Sequence, residues 1–146
     1  MSLVDMIAAA KASGDWNAMC DVVPYSKFLG ISALREGDNL ITKMTYKANQ
    51  IGNTGLPAIH GGAIGSLLES AAIFELLYRS ETVVLPKTIT LTIDYLRSAG
   101  PVDTFAHATI TRHGKRVANV HVEAYQTDRA HPVATAIAHF LVMRDS

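Results

Sequence analysis

A single cysteine, Cys20, stands among the 146 residues, so no disulfide can close within the chain and a reducing compartment is the expected setting. Net charge is missing as well. Thirteen Lys and Arg balance thirteen Asp and Glu, which leaves no overall field to recruit nucleic acid or an anionic membrane. No apolar run reaches the length of a membrane span. The opening MSLVDMIAAAKASGDW lacks a basic start and carries Asp5 inside its apolar part, unlike a signal peptide, so the expected location is the cytoplasm. Repeats, low-complexity segments and linkers are absent, and no histidine has Cys or acid neighbours at zinc-ligand spacing, so no metal site is expected. What remains is one domain, 1–146, long enough to bury a proper core.

The periodicity of what is present changes along the chain. Residues 3–13 read as a short helix ended by Gly14. Residues 28–35 and 39–46 alternate around Glu36-Gly37-Asp38-Asn39, the pattern of a β-hairpin. The segment from Lys47 to Ile59 holds Gly52, Gly55 and Pro57 and is expected as a loop, and residues 62–79 follow as one long helix. After Pro86 the period returns to two, with strands expected at 89–96, 104–112, 117–127 and 132–143. Their connections are too short for parallel crossovers, so the four are expected to form a meander. Six strands and one apolar helix make a two-layer α+β domain, a curved antiparallel sheet wrapping the helix, with residues 1–24 as a helical extension of a 25–143 core.

The segment Asn53 to Ala72, NTGLPAIHGGAIGSLLESAA, carries two anomalies. Two glycines open the helix, leaving backbone N–H groups without intrahelical partners at the positive end of its dipole. Such a place suits an anion, or an oxygen on which negative charge develops. The second anomaly is Glu69, an acid inside an apolar helix, where Glu is seldom found without a role or a partner. Plotted as a helix, Ile64, Leu67, Leu68 and Ala71 form a stripe for the sheet, while Gly62, Gly65, Ser66, Glu69, Ala72 and Ile73 form a small, largely uncharged stripe opposite. That second stripe is expected to meet the same helix of another copy across a two-fold. Glu75 and Arg79 stand one turn apart, as an ion pair would.

His60-Gly61-Gly62, the acid at the ninth position after His60, the apolar helix and the later Asp94-Tyr95-Leu96-Arg97-Ser98-Ala99 together resemble the hotdog-fold acyl-CoA thioesterases. The match is to the phenylacetate-degradation type, which is similar to one class of 4-hydroxybenzoyl-CoA thioesterase, and it covers roughly residues 25–143. The resemblance implies that the Gly61 N–H polarises the thioester carbonyl and that Glu69 is the nucleophile or the base that activates water. It implies that His60 orients the loop by hydrogen bonding, with Gly62 and Ile73 on the substrate side. The family places an Asn or Gln before the histidine. Asn53 stands one residue further from His60 than is usual, with Gln50 and Asn49 as substitutes. Ile73 occupies a position where some relatives carry a hydroxyl.

Gly61 and Glu69 are eight residues apart, about 12 Å along a helix, too far for one thioester carbon to touch both. Two antiparallel helices across a two-fold remove the conflict, which points to a homodimer, or a dimer of dimers, with composite sites. Coenzyme A enters as part of the substrate and no separate cofactor is expected. Arg112, Lys115 and Arg116, at a hairpin turn, are candidates to hold its phosphates, with Arg97 as a further one. Phe74, Leu76, Leu77 and Tyr78 suggest an apolar acyl chain or ring. A hotdog hydratase or dehydratase and a non-catalytic acyl-CoA-binding domain are the competing readings.

Overall fold

The computed structural model describes residues 1–142. The long helix α4, Gly61–Arg79, is the axis of the domain. Around it lie eight strands: β1 Ile31–Glu36, β2 Asn39–Met44, β3 Ile51–Asn53, β4 Ala58–Ile59, β5 Lys87–Tyr95, β6 Thr104–His113, β7 Val117–Tyr125 and β8 Ala134–Leu141. Six of them form one antiparallel sheet in the order β1-β2-β6-β7-β8-β5, and β3 pairs with β4 in a separate ribbon. This is the expected six-stranded antiparallel sheet on a single long helix. The far end of the last predicted strand, Met143, lies outside the described residues.

The sheet's inner face is largely alanine. Ala106, Ala108, Ala118, Ala124, Ala134, Ala136 and Ala138 are all buried there, joined by Val120, Val122 and Phe140. Small sheet residues leave depth for large helix ones, and Ile64, Leu67, Leu68 and Phe74 are buried in that space. Each fully buried side chain of this size contributes roughly 1.5–3 kcal/mol, which makes the α4–sheet contact the main source of stability. Leu76 and Leu77 are fully buried in this core too, so Phe74, Leu76 and Leu77 hold the fold together rather than receive an acyl group. Tyr78 sits edge-on against Trp16 of the N-terminal extension, ring centroids 4.9 Å apart.

Four expectations need correction. The late strands are not one meander: β6, β7 and β8 are, but β5 pairs with β8 at the far edge, and residues 96–103 carry the chain back across the sheet to β6. Residues 28 and 29 are not strand. They end a third short helix, α3 (Pro24–Leu29), which follows α1 (Leu3–Ser13) and α2 (Trp16–Asp21). Pro24 opens α3 and Gly30, at φ 77°, closes it in the left-handed conformation that only glycine adopts without strain. The segment 47–59 is more ordered than a plain loop, with a 3-10 turn at Ala48–Gln50 and the β3–β4 ribbon. Finally, the small stripe on α4 is not all open to another copy. Gly65 and Ala72 are buried within the one chain, and a Cβ on Gly65 would lie 3.0 Å from Ile93 Cδ1 of β5. Glu69, Ser66 and Ile73 are half-buried and Gly62 is exposed.

The Glu75–Arg79 pair forms as the spacing predicts, Arg79 Nε donating to Glu75 Oε1 at 2.8 Å. Glu75 is 4% exposed and its Oε2 has no partner among the described residues. Burial pushes its carboxyl above the usual range, and the hydrogen bond and charge of Arg79 only partly pull it back. An acid whose pKa is raised on folding contributes most when protonated, and that contribution is lost as pH rises through the folded pKa. Glu75→Gln is therefore expected to melt higher than the parent at pH 8, by on the order of 1 kcal/mol or about 3 °C. The gap should close as pH falls and the parent carboxyl takes up its proton. Equal melting curves at both pH values would show that Glu75 carries no such cost.

Candidate active site

His60 is the N-cap of α4 and is fixed on three sides. Its N–H donates to Gln50 O at 2.7 Å, its carbonyl accepts from Ala63 N (2.9 Å) and Ile64 N (3.2 Å), and its Nδ1 accepts from Gly62 N at 2.8 Å. As an acceptor, Nδ1 is unprotonated, so the neutral ring carries its proton on Nε2. The consequence is selective. Gly62, Ala63 and Ile64 have partners for their N–H groups, and Gly61 N–H alone has none among the described residues.

The rest of that peptide neighbourhood is held from β5. Tyr95 donates its hydroxyl to Gly61 O at 2.7 Å and lays its ring on the glycine, where a Cβ would come within 3.3 Å of ring carbons. Beside it opens a cleft of about 380 Å³ lined by Ala58, Ile59, Gly61, Ile64, Tyr95 and Arg97 among others. Arg97 Nε donates to Pro132 O at 3.1 Å, which anchors the guanidinium at this cleft. Tyr95 belonged to the sequence motif but carried no assigned part, since nothing in a strand pattern says which glycine an aromatic will cover.

Glu69 lies toward the other end of β5. Its Oε2 accepts from Thr88 Oγ1 at 2.9 Å, while Oε1 has no partner among the described residues. The turn joining β6 and β7 is at this same end, because Val117 stands opposite Leu141 and Leu141 opposite Lys87. Arg112, Lys115 and Arg116 are exposed there without an ion pair among the described residues, and the register adds Lys87 to them. Sequence reasoning missed Lys87, which is far from the turn in the chain and next to it only through β8.

The polar residues before His60 have structural partners. Asn53 is exposed, and its Oδ1 accepts from Gly55 N (3.0 Å) and Leu56 N (3.3 Å), closing its own turn. Its amide NH2 has no partner among the described residues. Gln50 is buried, with Nε2 on Leu29 O (3.0 Å) and Thr45 O (2.9 Å) and Oε1 on Lys47 N (3.2 Å), so no polar atom of its side chain is left over. Asn49 is exposed. Among the described residues no three His, Cys, Asp or Glu side chains gather as a metal ion would need, and no helix is long and apolar enough to cross a membrane. Cys20 is buried, its thiol pushed up to about 12 by burial and the nearby Asp21.

A curved antiparallel sheet on one helix, with a glycine turn at that helix's start, defines a hotdog domain. The family model of the acyl-CoA thioesterase N-terminal domain matches residues 50–141, and the chain belongs to this family of thioester hydrolases. Similar proteins include the medium/long-chain acyl-CoA thioesterase YigI of Salmonella typhimurium, 29% identical over 136 residues that cover 82% of this chain and 86% of YigI. A solved structure from Chromobacterium violaceum is 36% identical, covers 94% of this chain and 96% of its own, and superposes with a TM-score of 0.77. The PaaI protein of the Escherichia coli phenylacetic acid degradation operon shares the fold at 22% identity and a TM-score of 0.74, covering 91% and 94% of the two chains.

Proposed function

We propose that this acyl-CoA thioesterase works as a homodimer or dimer of dimers, with each site built from Gly61 of one protomer and Glu69 of the other. The carrying observation is the Gly61 N–H, without a partner among the described residues, at the start of a helix whose acid stands eight residues further on. That separation, about 12 Å, excludes one protomer from supplying both groups to one carbonyl. The Gly61 N–H receives the thioester oxygen as charge develops on it. Glu69 either takes a proton from the attacking water or attacks the carbonyl itself, giving a mixed anhydride that water then opens. Coenzyme A leaves as the thiolate by either route. His60 keeps Gly62 N–H out of competition and so leaves one donor where one oxygen must bind. The Asn53 amide NH2 is the polar group offered to the carbonyl or the water from the loop. Gly62 and Ile73 line the substrate side.

Mixing two inactive variants tests the shared site. His60 has φ −58° and ψ 135°, a conformation that a following proline accepts, and proline is at home in the first turn of a helix. Gly61→Pro therefore deletes the N–H at little backbone cost, with Tyr95 shifting by a few tenths of an ångström. Glu69→Gln mixed with Gly61→Pro should regain activity as heterodimers form, because one of two sites is then intact. No regain from mixtures shown to exchange subunits, or a monomeric mass by light scattering at micromolar concentration, overturns the shared site.

Coenzyme A carries several negative charges, and Arg112, Lys115, Arg116 and Lys87 form a group of cations without an ion pair among the described residues at the Glu69 end of the sheet. Lys115→Ala with Arg116→Ala should raise KM for an acyl-CoA about tenfold while kcat changes little, and the effect should shrink on the matching pantetheine thioester. Equal losses on both substrates would return these residues to a solvated turn. The cleft beside Gly61 is bounded by Ile59, Ile64 and Ala58, and together with the likeness to YigI this favours an aliphatic acyl chain. Decanoyl-CoA is expected to exceed phenylacetyl-CoA in kcat/KM, and the reverse order would assign the cleft to a ring.

A further inference from the structure

The first turn of α4 is weakly built for a place that must hold one N–H still. Gly61, Gly62 and Gly65 are three of its first five residues. A glycine gives up more backbone freedom on folding than any other residue, so a turn this rich in glycine frays easily. His60 Nδ1 steadies the turn on one side, but it does so at Gly62 N–H.

The other side is held from β5. A Cβ on Gly61 would lie 3.3 Å from Cε1 and Cζ of Tyr95 and 3.4 Å from its Oη. A Cβ on Gly65 would lie 3.5 Å from the same Oη and 3.0 Å from Ile93 Cδ1. The two glycines, one turn apart, thus make a shallow groove in which the Tyr95 ring lies with its hydroxyl across the turn. From there Oη donates to Gly61 O at 2.7 Å. Tyr95 stays 55% exposed, so burial does little to keep so large a ring in this place. The groove and the hydrogen bond keep it there.

We infer that Tyr95 is a positioning residue for the Gly61 N–H, its hydroxyl pinning the carbonyl of that glycine so that the N–H keeps its aim on the thioester oxygen. The inference rests on the reading of Gly61 as the oxyanion donor. Such a donor works by standing ready, about 2.7–3.1 Å from where the oxyanion will form, before the charge appears. Loosening it therefore weakens the transition state more than the bound substrate. Ring and hydroxyl have separate parts here. The ring fills the groove and lines the cleft, and the hydroxyl fixes the glycine. A phenylalanine in this place would cover Gly61 without tying it down.

The test compares Tyr95→Phe with the parent, as full chains, on decanoyl-CoA and on two analogues that are not hydrolysed. In the first a trifluoromethyl ketone replaces the thioester, and its carbonyl adds water to present an oxyanion. The second is the decyl thioether of coenzyme A, which has no carbonyl oxygen at that place. Tyr95→Phe should lower kcat about fivefold to tenfold, the scale of one hydrogen bond, with KM changed less than twofold. The ketone should bind more weakly by a similar factor, and the thioether as before. A ring needed only for packing is still present in Tyr95→Phe and leaves kcat and ketone binding intact. That result, beside an inactive Gly61→Pro, overturns the inference and leaves the reading of Gly61 standing. Equal weakening of ketone and thioether puts the hydroxyl on the substrate instead and overturns it as well. Gly61→Pro at the wild-type rate removes the reading of Gly61 first, and the inference with it.

Discussion

Glu69→Gln is expected to lower kcat for acyl-CoA hydrolysis by two or more orders of magnitude, about 3 kcal/mol of transition-state stabilisation. The change keeps the shape of the side chain and leaves an amide oxygen that can still accept from Thr88 Oγ1, so the fold and the subunit contact should survive. What is lost is the negative charge, and with it both the capacity to take a proton from water and the capacity to attack a carbonyl. Glu69→Asp should retain part of the activity, since the carboxylate remains on a shorter arm. A control lies on the same helix. Glu75 is the more deeply buried of the two acids, at 4% exposure, yet it is bonded to Arg79 inside the core. Glu75→Gln should therefore leave kcat unchanged while Glu69→Gln removes it. Hydrolysis by Glu69→Gln at the wild-type rate would reject the mechanism and leave the fold untouched.

The second large effect is expected from Gly52→Ala, at a residue that touches no substrate. Gly52 is in β3 and backs directly onto His60. A Cβ there would lie 2.9 Å from His60 Cδ2 and 3.0 Å from both His60 Cα and Cβ. The ring could swing away, but the Cα is backbone, held by Gln50 O on one side and by Ala63 and Ile64 on the other. The strain must therefore move the N-cap of α4 and carry Gly61 N–H with it. A displacement on the order of 1 Å in a reacting group can reduce rates about a hundredfold, and a loss of this size in kcat is expected together with a lower melting temperature. Gly55→Ala is the matched control: its added Cβ would meet only Asn53 Oδ1, at 3.5 Å, an ordinary contact, and activity should be retained. Gly52→Ala with wild-type kcat would show that the oxyanion donor does not depend on this packing.

The long helix and the late strands could be read from sequence because each presents a sustained period, 3.6 residues in Ile64 to Ala71 and two in the strands after Pro86. The helices Trp16–Asp21 and Pro24–Leu29 could not, since six residues hold less than two turns and no period emerges from so short a stretch. Strand pairing order is likewise not a local property. The ITLTIDYL pattern says that β5 is a strand, but its place beside β8 is decided by where the chain between Leu96 and Asp103 can cross the sheet. The glycine turn and the acid proposed for the site are legible as departures from their surroundings, two glycines at a helix start and a charge in an apolar stripe. Thr88 was hidden twice. It stands before the predicted strand begins, and simple alternation from Leu91 backwards would turn it to the outer face, so only the extra residue at Ile89 brings it to Glu69. Spacing points to Asn53, and the structure engages its Oδ1 in a turn that spacing alone does not reveal.

The position of β5 also governs how the site opens. Among the described residues this strand is bonded on one side only, to β8, and most of its residues are exposed, so its opening free energy is expected well below that of the central strands β6 and β7. Its amide protons should accordingly exchange with solvent sooner than those of β7. Thr88 and Tyr95 sit near its two ends, one bonded to Glu69 and the other to Gly61. A single detachment of this strand therefore releases both the acid and the glycine turn at once, and their recovery waits on the same re-pairing with β8. In the proposed dimer one such detachment would disable half of each of two composite sites, so the local stability of one edge strand would set the fraction of time in which both are complete.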